Sequence, residues 1–532
     1  MQLHVIHDLG GGSGQWVRDF GGADSSRENL VLRALSQGPE MATGLGLYES
    51  VGDEVPAKAW QLSRPISAAV ASHPEYRAIL GEILDERGVD VLLVSSLIGQ
   101  SLDLLDTDRR TILVAHDYFP YCPAINLHFG EVCRDCDDAK IERCERDNEA
   151  FNPFVDFPAS ERSALREKYM ELVRRPNVTL AVPSDSVQQN LTRLDPRFRE
   201  ASFATIPHGH SHILPRLSVA DPSAHGRLRV LVLGQLSVAK GLHLLREALP
   251  AITEFADVYL LGCGELGELF KYQKHVQVVS QYRMDELAIH VGHINPHVGL
   301  LASIVPETFG YTLSELIMLG VPVAATRVGS FAERIRHGET GYLFDPDAAS
   351  LLAALREIDE GRALLAKIRR NVRALEARTA ADMVADYHRI APIASARTPT
   401  DRPRAPDAGS GARDGVFAAQ AATLASMWKD VKSLNIHLTA LVDARQRDEG
   451  ERRRLEIERD TLARRLDNAA AKMGDHARQL DEKEKERGVM ATQLEVRTAQ
   501  LAEILSSTSW RVSAPVRWLA SPTGKRCPRG RR

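Results

Sequence analysis

Between Met1 and about Leu217, short apolar runs of strand length alternate with longer charged stretches of helical period. Val91-Leu92-Leu93-Val94, Thr111-Ile112-Leu113-Val114 and Val178-Thr179-Leu180-Ala181-Val182 are such runs. The alternation restarts near Ala220, with Leu228-Arg229-Val230-Leu231-Val232-Leu233-Gly234 and then Val258-Tyr259-Leu260-Leu261-Gly262. Apolar strands separated by helical patterns predict an α/β class with parallel sheets covered on both faces. The chain therefore divides into one open α/β domain over 1–217 and a second over 218–392, which ends on a helix through Met383-Val384-Ala385-Asp386-Tyr387. Pro, Ala, Arg, Asp and Gly dominate the next stretch, 393–415, which reads as a disordered linker.

From 416 to 505 the pattern changes again. Leu466, Met473, Leu480, Leu494 and Leu501 recur at heptad spacing, interrupted by Arg487, and Ala463, Ala470, Ala477 and Ala491 each precede a member of that row by three positions. This is the seam of a thin coiled coil, which implies a homo-oligomer; a single solvated charged helix is the other reading. The last segment, 506–532, mixes Trp510, Val512, Val516, Trp518 and Leu519 with seven Lys or Arg and no acid. Such a segment fits an anionic membrane surface, and a plain basic tail has the same composition.

Charge and cysteine content narrow the class. A net charge of -4, with both signs mixed along 532 residues, excludes a general nucleic-acid binder. Six cysteines are too few for a secreted disulfide scaffold. The strand-like opening Gln2-Leu3-His4-Val5-Ile6 has no basic region before it, and no apolar run is long enough to span a bilayer. A cytoplasmic protein is expected, peripheral on the inner membrane face through its tail.

The chemistry concentrates in Glu307-Thr308-Phe309-Gly310-Tyr311-Thr312-Leu313-Ser314-Glu315. The apolar run Gly299 to Val305 before it has strand character, and Thr312 to Leu319 has helix character with Gly320 as its stop. Glu307 is thus expected in a strand-to-helix loop and Glu315 about one turn into the helix. The amides of Phe309, Gly310, Tyr311 and Thr312 then sit at a helix N-terminus, where partial positive charge favours phosphate oxygens.

These residues resemble the E-x7-E signature of retaining glycosyltransferases of the GT-B fold, the family 4 or group 1 type. Pro306 before the first Glu, Gly320-Val321-Pro322-Val323 after the helix, Gly329 with Glu333, and Gly338-Glu339-Thr340-Gly341-Tyr342-Leu343 carry the same resemblance. The opening His7-Asp8-Leu9-Gly10-Gly11-Gly12 and the closing Ser507-Thr508-Ser509-Trp510-Arg511 look like bacterial surface-polysaccharide (O-antigen) transferases. The resemblance covers roughly Met1 to Pro392 and implies two Rossmann-like domains facing across a cleft. It also implies a nucleotide-sugar donor, a lipid-linked glycan as acceptor, and transfer with retained anomeric configuration.

Site residues are implied by the same likeness. Glu307 is expected beside the donor sugar and Glu315 at ribose hydroxyls. Leu233-Gly234-Gln235-Leu236-Ser237-Val238-Ala239-Lys240-Gly241 is similar to an element whose Lys meets the donor pyrophosphate, so Lys240 would neutralise the leaving phosphate. Gln235 stands where many relatives carry Arg, which leaves one phosphate-binding cation missing or supplied elsewhere. Gly12, in the glycine-rich turn after the first strand, permits close backbone approach to the cleft. His116, closing the strand Ile112-Leu113-Val114-Ala115, resembles the family's cleft histidine, and ligands of open α/β sheets sit outside the carboxyl ends of strands. His208-Gly209 reads as a turn at the domain boundary. No metal cofactor is required for the chemistry.

Cys122, Cys133, Cys136 and Cys144 fall within one short irregular segment. Four thiolates including a C-x2-C pair can complete a structural zinc site; redox chemistry and unrelated free thiols fit the same residues. Two other functions remain open for the chain as a whole. One is a coiled-coil assembly protein with a non-catalytic transferase fold, the other a nucleotide-sugar epimerase of the same architecture.

Overall fold

The computed structural model describes residues 1–7, 11–38, 41–148, 151, 154, 157–217, 226–392, 488, 492–503 and 506. Its first sheet has eight strands in the order Phe203–Thr205, Val178–Val182, Arg110–Val114, Val91–Val94, Gln2–His7, Asn29–Gly38, Met41–Tyr48, Lys58–Ile66. From Phe203–Thr205 to Asn29–Gly38 every pairing is parallel. The last two strands join by antiparallel pairing, which corrects the expectation of a wholly parallel sheet. Their connections are too short for a crossover helix, so the chain turns back on itself as a meander.

The second sheet has six strands, all parallel, in the order Val276–Val279, Ala256–Leu261, Leu228–Leu233, Val298–Leu301, Val323–Thr326, Gly341–Phe344. Numbered from its own first strand this is 3-2-1-4-5-6, the doubly wound Rossmann order. The order reverses between Leu228–Leu233 and Val298–Leu301. The loops leaving the carboxyl ends of those two strands are therefore splayed to opposite faces, and they are the loops that carry Lys240 and Glu307. The strand expected over Gly299 to Val305 stops at Leu301, and 302–310 forms the loop instead.

Helix Tyr311–Leu319 ends as its sequence requires. Gly320 takes φ 77°, its amide donates to Ile317 O at 3.0 Å, and Val321 N donates to Leu316 O at 2.9 Å, a Schellman closure. Helix Ala380–Ile390, though C-terminal to the second sheet, packs on the first. Its Tyr387 meets Phe20 edge-on at 5.2 Å and Trp16 at 5.4 Å, and His388 Nε2 lies 3.0 Å from Asp24 Oδ2. Burying Met383, Val384 and Tyr387 there contributes about 1.5–3 kcal/mol per side chain, which ties the two sheets into one unit.

Of the heptad row, Leu494 and Leu501 lie among the described residues, on the helical stretch 492–503, and are 70% and 60% exposed. Leu466, Met473 and Leu480, the linker 393–415 and the tail beyond Ser506 lie outside the described residues. Among the described residues no helix is long and apolar enough to cross a membrane.

Candidate active site

The loop 302–310 is braced from three sides. Ser330 N donates to Glu307 O at 2.9 Å and Ser330 Oγ to Phe309 O at 2.9 Å. Gly329, at φ +54°, lies so close that a Cβ there would stand 2.6 Å from Glu307 N and O. Gly310, at φ +75°, turns the chain into helix Tyr311–Leu319, and a Cβ there would meet the Phe331 ring at 2.5 Å. No side chain caps this helix, so its first amides face the cleft with the helix dipole behind them.

On this loop Glu307 forms an ion pair through Oε1 with Lys240 Nζ and accepts from Ser303 Oγ at 2.9 Å. The carboxylate is 13% exposed and the ammonium 49%, so the pair sits at the cleft wall with the cation toward solvent. Thr312 abuts the other loop: a Cβ on Gly234 would be 3.0 Å from Thr312 Cγ2. Gln235 is exposed and lies over Gly264. The Leu313 side chain is fully buried in the core, and its amide donates to Gly310 O at 3.2 Å. Glu315 is buried, and burial pushes its carboxyl up to about 7.

The first domain meets this loop directly. Thr308 Oγ1 donates to His116 O at 2.8 Å, and Glu333 accepts from Ser186 N at 3.0 Å. The His116 ring packs edge-on against Trp16 at 5.4 Å, its Nε2 is buried without a partner, and burial pulls its pKa down to about 3. His116 is therefore a neutral imidazole at physiological pH. Burial also pushes the neighbouring Asp117 up to about 6. Gly12 faces Tyr311, with 3.7 Å from a Cβ position to the ring, while Asp8, Leu9 and Gly10 lie outside the described residues.

Two groups have no clear signal in the sequence. His208 is no exposed turn: it is 2% exposed, stacks on Tyr311 at 5.6 Å and touches Phe309 at 4.8 Å and His116 at 5.0 Å. Burial, and then the neighbouring His116 and Arg334, hold it well below the ordinary histidine range. Arg334 is the second. Its Nη1 donates to Phe309 O at 2.6 Å and Gly310 O at 3.3 Å, its Nη2 to Ser314 Oγ at 2.7 Å, and the guanidinium lies 4.1 Å from the Phe309 ring centroid. Among the described residues no carboxylate comes within salt-bridge distance of it, and burial lowers its pKa to about 10. A half-buried cation thus stands at the helix N-terminus. Its only trace in the sequence is an arginine one position after Glu333.

Two Rossmann-like domains joined at such a cleft define the GT-B architecture. Residues 217–375 match the family described as Glycosyl transferases group 1. Sucrose-phosphate synthase from Thermosynechococcus elongatus shares the fold, with a TM-score of 0.51 at 16% identity over 74% of this chain and 98% of that one. Phosphatidyl-myo-inositol mannosyltransferase of Mycobacterium leprae is 33% identical over 135 residues, 24% of this chain and 36% of its own length. Spore coat protein SA of Bacillus subtilis is 28% identical over 134 residues, 22% and 35% of the two chains. The chain spans about a third of the length of the curated relatives it matches.

Proposed function

We propose that this chain is a retaining glycosyltransferase that moves a hexosyl group from a nucleotide-diphosphate sugar to a hydroxyl. The observation that carries this reading is the Glu307–Lys240 pair beside an uncapped helix N-terminus, at the point where the second sheet reverses its strand order. The helix amides and Lys240 hold the diphosphate, Glu307 the sugar, and Glu315 the ribose hydroxyls. The anomeric carbon–oxygen bond to the β-phosphate breaks while the acceptor oxygen attacks on the same face, and the acceptor proton passes to the departing phosphate oxygen. Charge that builds on that phosphate is met by fixed donors already oriented toward it. No metal is required for this. Neutral His116, Trp16 and His208 wall the cleft against water.

The acceptor in this reading is a lipid-linked glycan of surface-polysaccharide synthesis, approached at the cytoplasmic membrane face through the basic aromatic tail. Support comes from the Trp510 to Leu519 composition and from one relative whose name specifies a phosphatidylinositol substrate. Paired tails on a coiled-coil homo-oligomer would add avidity for that surface. The test is incubation with a panel of nucleotide sugars, following nucleotide release with and without lipid acceptor. Acceptor-dependent release supports the proposal. Isomerised donor without acceptor marks an epimerase, and donor binding without turnover marks a non-catalytic assembly protein.

A further inference from the structure

The four cysteines fall between strand Arg110–Val114 and helix Ala159–Val173 of the first domain, outside the residues assigned to the donor. Cys122 comes from the loop after Arg110–Val114, Cys133 and Cys136 come after the small hairpin His128–Phe129/Glu131–Val132, and Cys144 sits on helix Asp138–Asp147. The fold brings all four to the wall of one cavity, together with His128, Lys140 and Arg166. Every one of the four is a free thiol. In this structure they line the wall and do not form a finished shell: among the described residues, no group of three His, Cys, Asp or Glu is arranged to hold a metal ion as it stands.

Charge decides what the cavity lacks. Arg166, on helix Ala159–Val173, is 5% exposed, and among the described residues no carboxylate lies within salt-bridge distance of it. Its donors go to Tyr121 O at 2.8 and 3.0 Å, to Cys136 O at 2.9 Å and to Cys136 Sγ at 3.2 Å. A buried guanidinium facing only neutral groups costs several kcal/mol. Four thiolates around a divalent cation carry a net charge of about -2, part of which Arg166 offsets, while the nearby Lys140 is already paired with Asp135 at 2.8 Å.

Hydrogen bonding agrees. Arg166 donates to Cys136 Sγ, and Asn148 Nδ2 donates to Cys144 Sγ at 3.2 Å while its other contact is His128 O at 2.8 Å. N–H donors aimed at sulfur are what metal-bound thiolates receive from the shell around them. His128 Nδ1 is buried without a partner in the same cavity wall, an additional nitrogen with no hydrogen bond to give up. A disulfide pairing would discharge the sulfurs and leave Arg166 without a counter-charge.

We propose that Cys122, Cys133, Cys136 and Cys144 bind one structural zinc ion as thiolates, with Arg166 and Asn148 donating to the bound sulfurs. The ion draws the four side chains inward by rotation about χ1 and fastens the loop, hairpin and helix to one another. The test uses the full chain purified without chelator. Elemental analysis should give about one zinc per chain, released when an organomercurial titrates the thiols. Cys133→Ser should lower that content, and Arg166→Met, which keeps every ligand, should weaken zinc affinity about 10–100-fold in competition with a chelator of known affinity. Absence of metal, with the thiols either freely reactive or oxidised to disulfides, overturns the proposal, as does an iron chromophore in place of zinc. The wild-type metal content decides this even where a variant fails to fold, and it is independent of any transferase assay.

Discussion

Thr308 Oγ1 donates to the main-chain oxygen of His116 at 2.8 Å, a bond that crosses from the second domain to the first. It fixes the loop that holds Glu307 against the end of the strand that precedes His116. The residue next to the carboxylate therefore reports on domain closure, and the carboxylate itself can be changed without touching that contact.

Glu307→Gln tests the carboxylate. The substitution keeps volume and the Ser303 contact but removes the charge that meets Lys240. Because Lys240 is half exposed, the loss of the pair is screened by solvent and costs about 1 kcal/mol or less of stability. Transfer is expected to fall by at least about 100-fold, as for removal of a group aimed at the reacting centre. Near-wild-type turnover in a protein of unchanged melting temperature would end this assignment.

Lys240→Ala should separate binding from folding in the same way. Its ammonium is 49% exposed, and Gln235 earlier in the same loop carries no charge. Donor Kd should rise about tenfold or more, with a matching loss for a nucleoside diphosphate lacking the sugar. Equal weakening of a nucleoside alone would place the lysine elsewhere than at the diphosphate.

The Rossmann-like sheets were legible in the sequence because their central strands are continuous apolar runs. Val91–Val94 and Val178–Val182 fall where the pattern predicts, and helix Tyr311–Leu319 starts one residue early and stops at its glycine. The meander of Met41–Tyr48 and Lys58–Ile66 was not legible, since Gly44 and Gly46 interrupt the first strand, the second is largely exposed, and neither carries a strong apolar run. His208 and Arg334 were missed for a different reason. Their burial comes from partners far along the chain, Trp16 and His116 for one and the folded-back 309–314 segment for the other, and neither local spacing nor composition encodes those contacts.

Glu315 gives a prediction in pH. Its carboxyl is raised from 4.5 to about 7 by burial, so between those values the folded protein holds a proton that the unfolded chain has released. Unfolding free energy contributed by this group therefore falls as pH rises through that window and is constant above it. Glu315→Gln should remove that slope in denaturant titrations across pH 5–8. Hydroxyls donating to the carboxylate favour its ionised form, so donor binding should tighten as pH rises through 7 and release protons. Calorimetry in buffers of different ionisation enthalpy measures that release, and none at pH 6.5 would remove Glu315 from the ribose.

Arg334 supplies the last test, which distinguishes charge from bracing. Its fork holds Phe309 O, Gly310 O and Ser314 Oγ, and its charge stands at the helix N-terminus without a carboxylate partner among the described residues. Arg334→Met removes both, while Phe309 O keeps its bond from Ser330 Oγ and Gly310 O its bond from Leu313 N, so each lost bond costs about 0.5–1.5 kcal/mol. Arg334→Lys keeps the charge but cannot reproduce the planar fork. If the Arg334 cation makes up for the uncharged Gln235, donor affinity should drop about tenfold in the Met variant and stay near wild type in the Lys variant. If bracing dominates, both variants should lose donor affinity and melt at lower temperature together. Binding of a nucleoside diphosphate, measured beside thermal unfolding for both, gives the answer: affinity retained in Arg334→Met would show that neither charge nor brace reaches the donor.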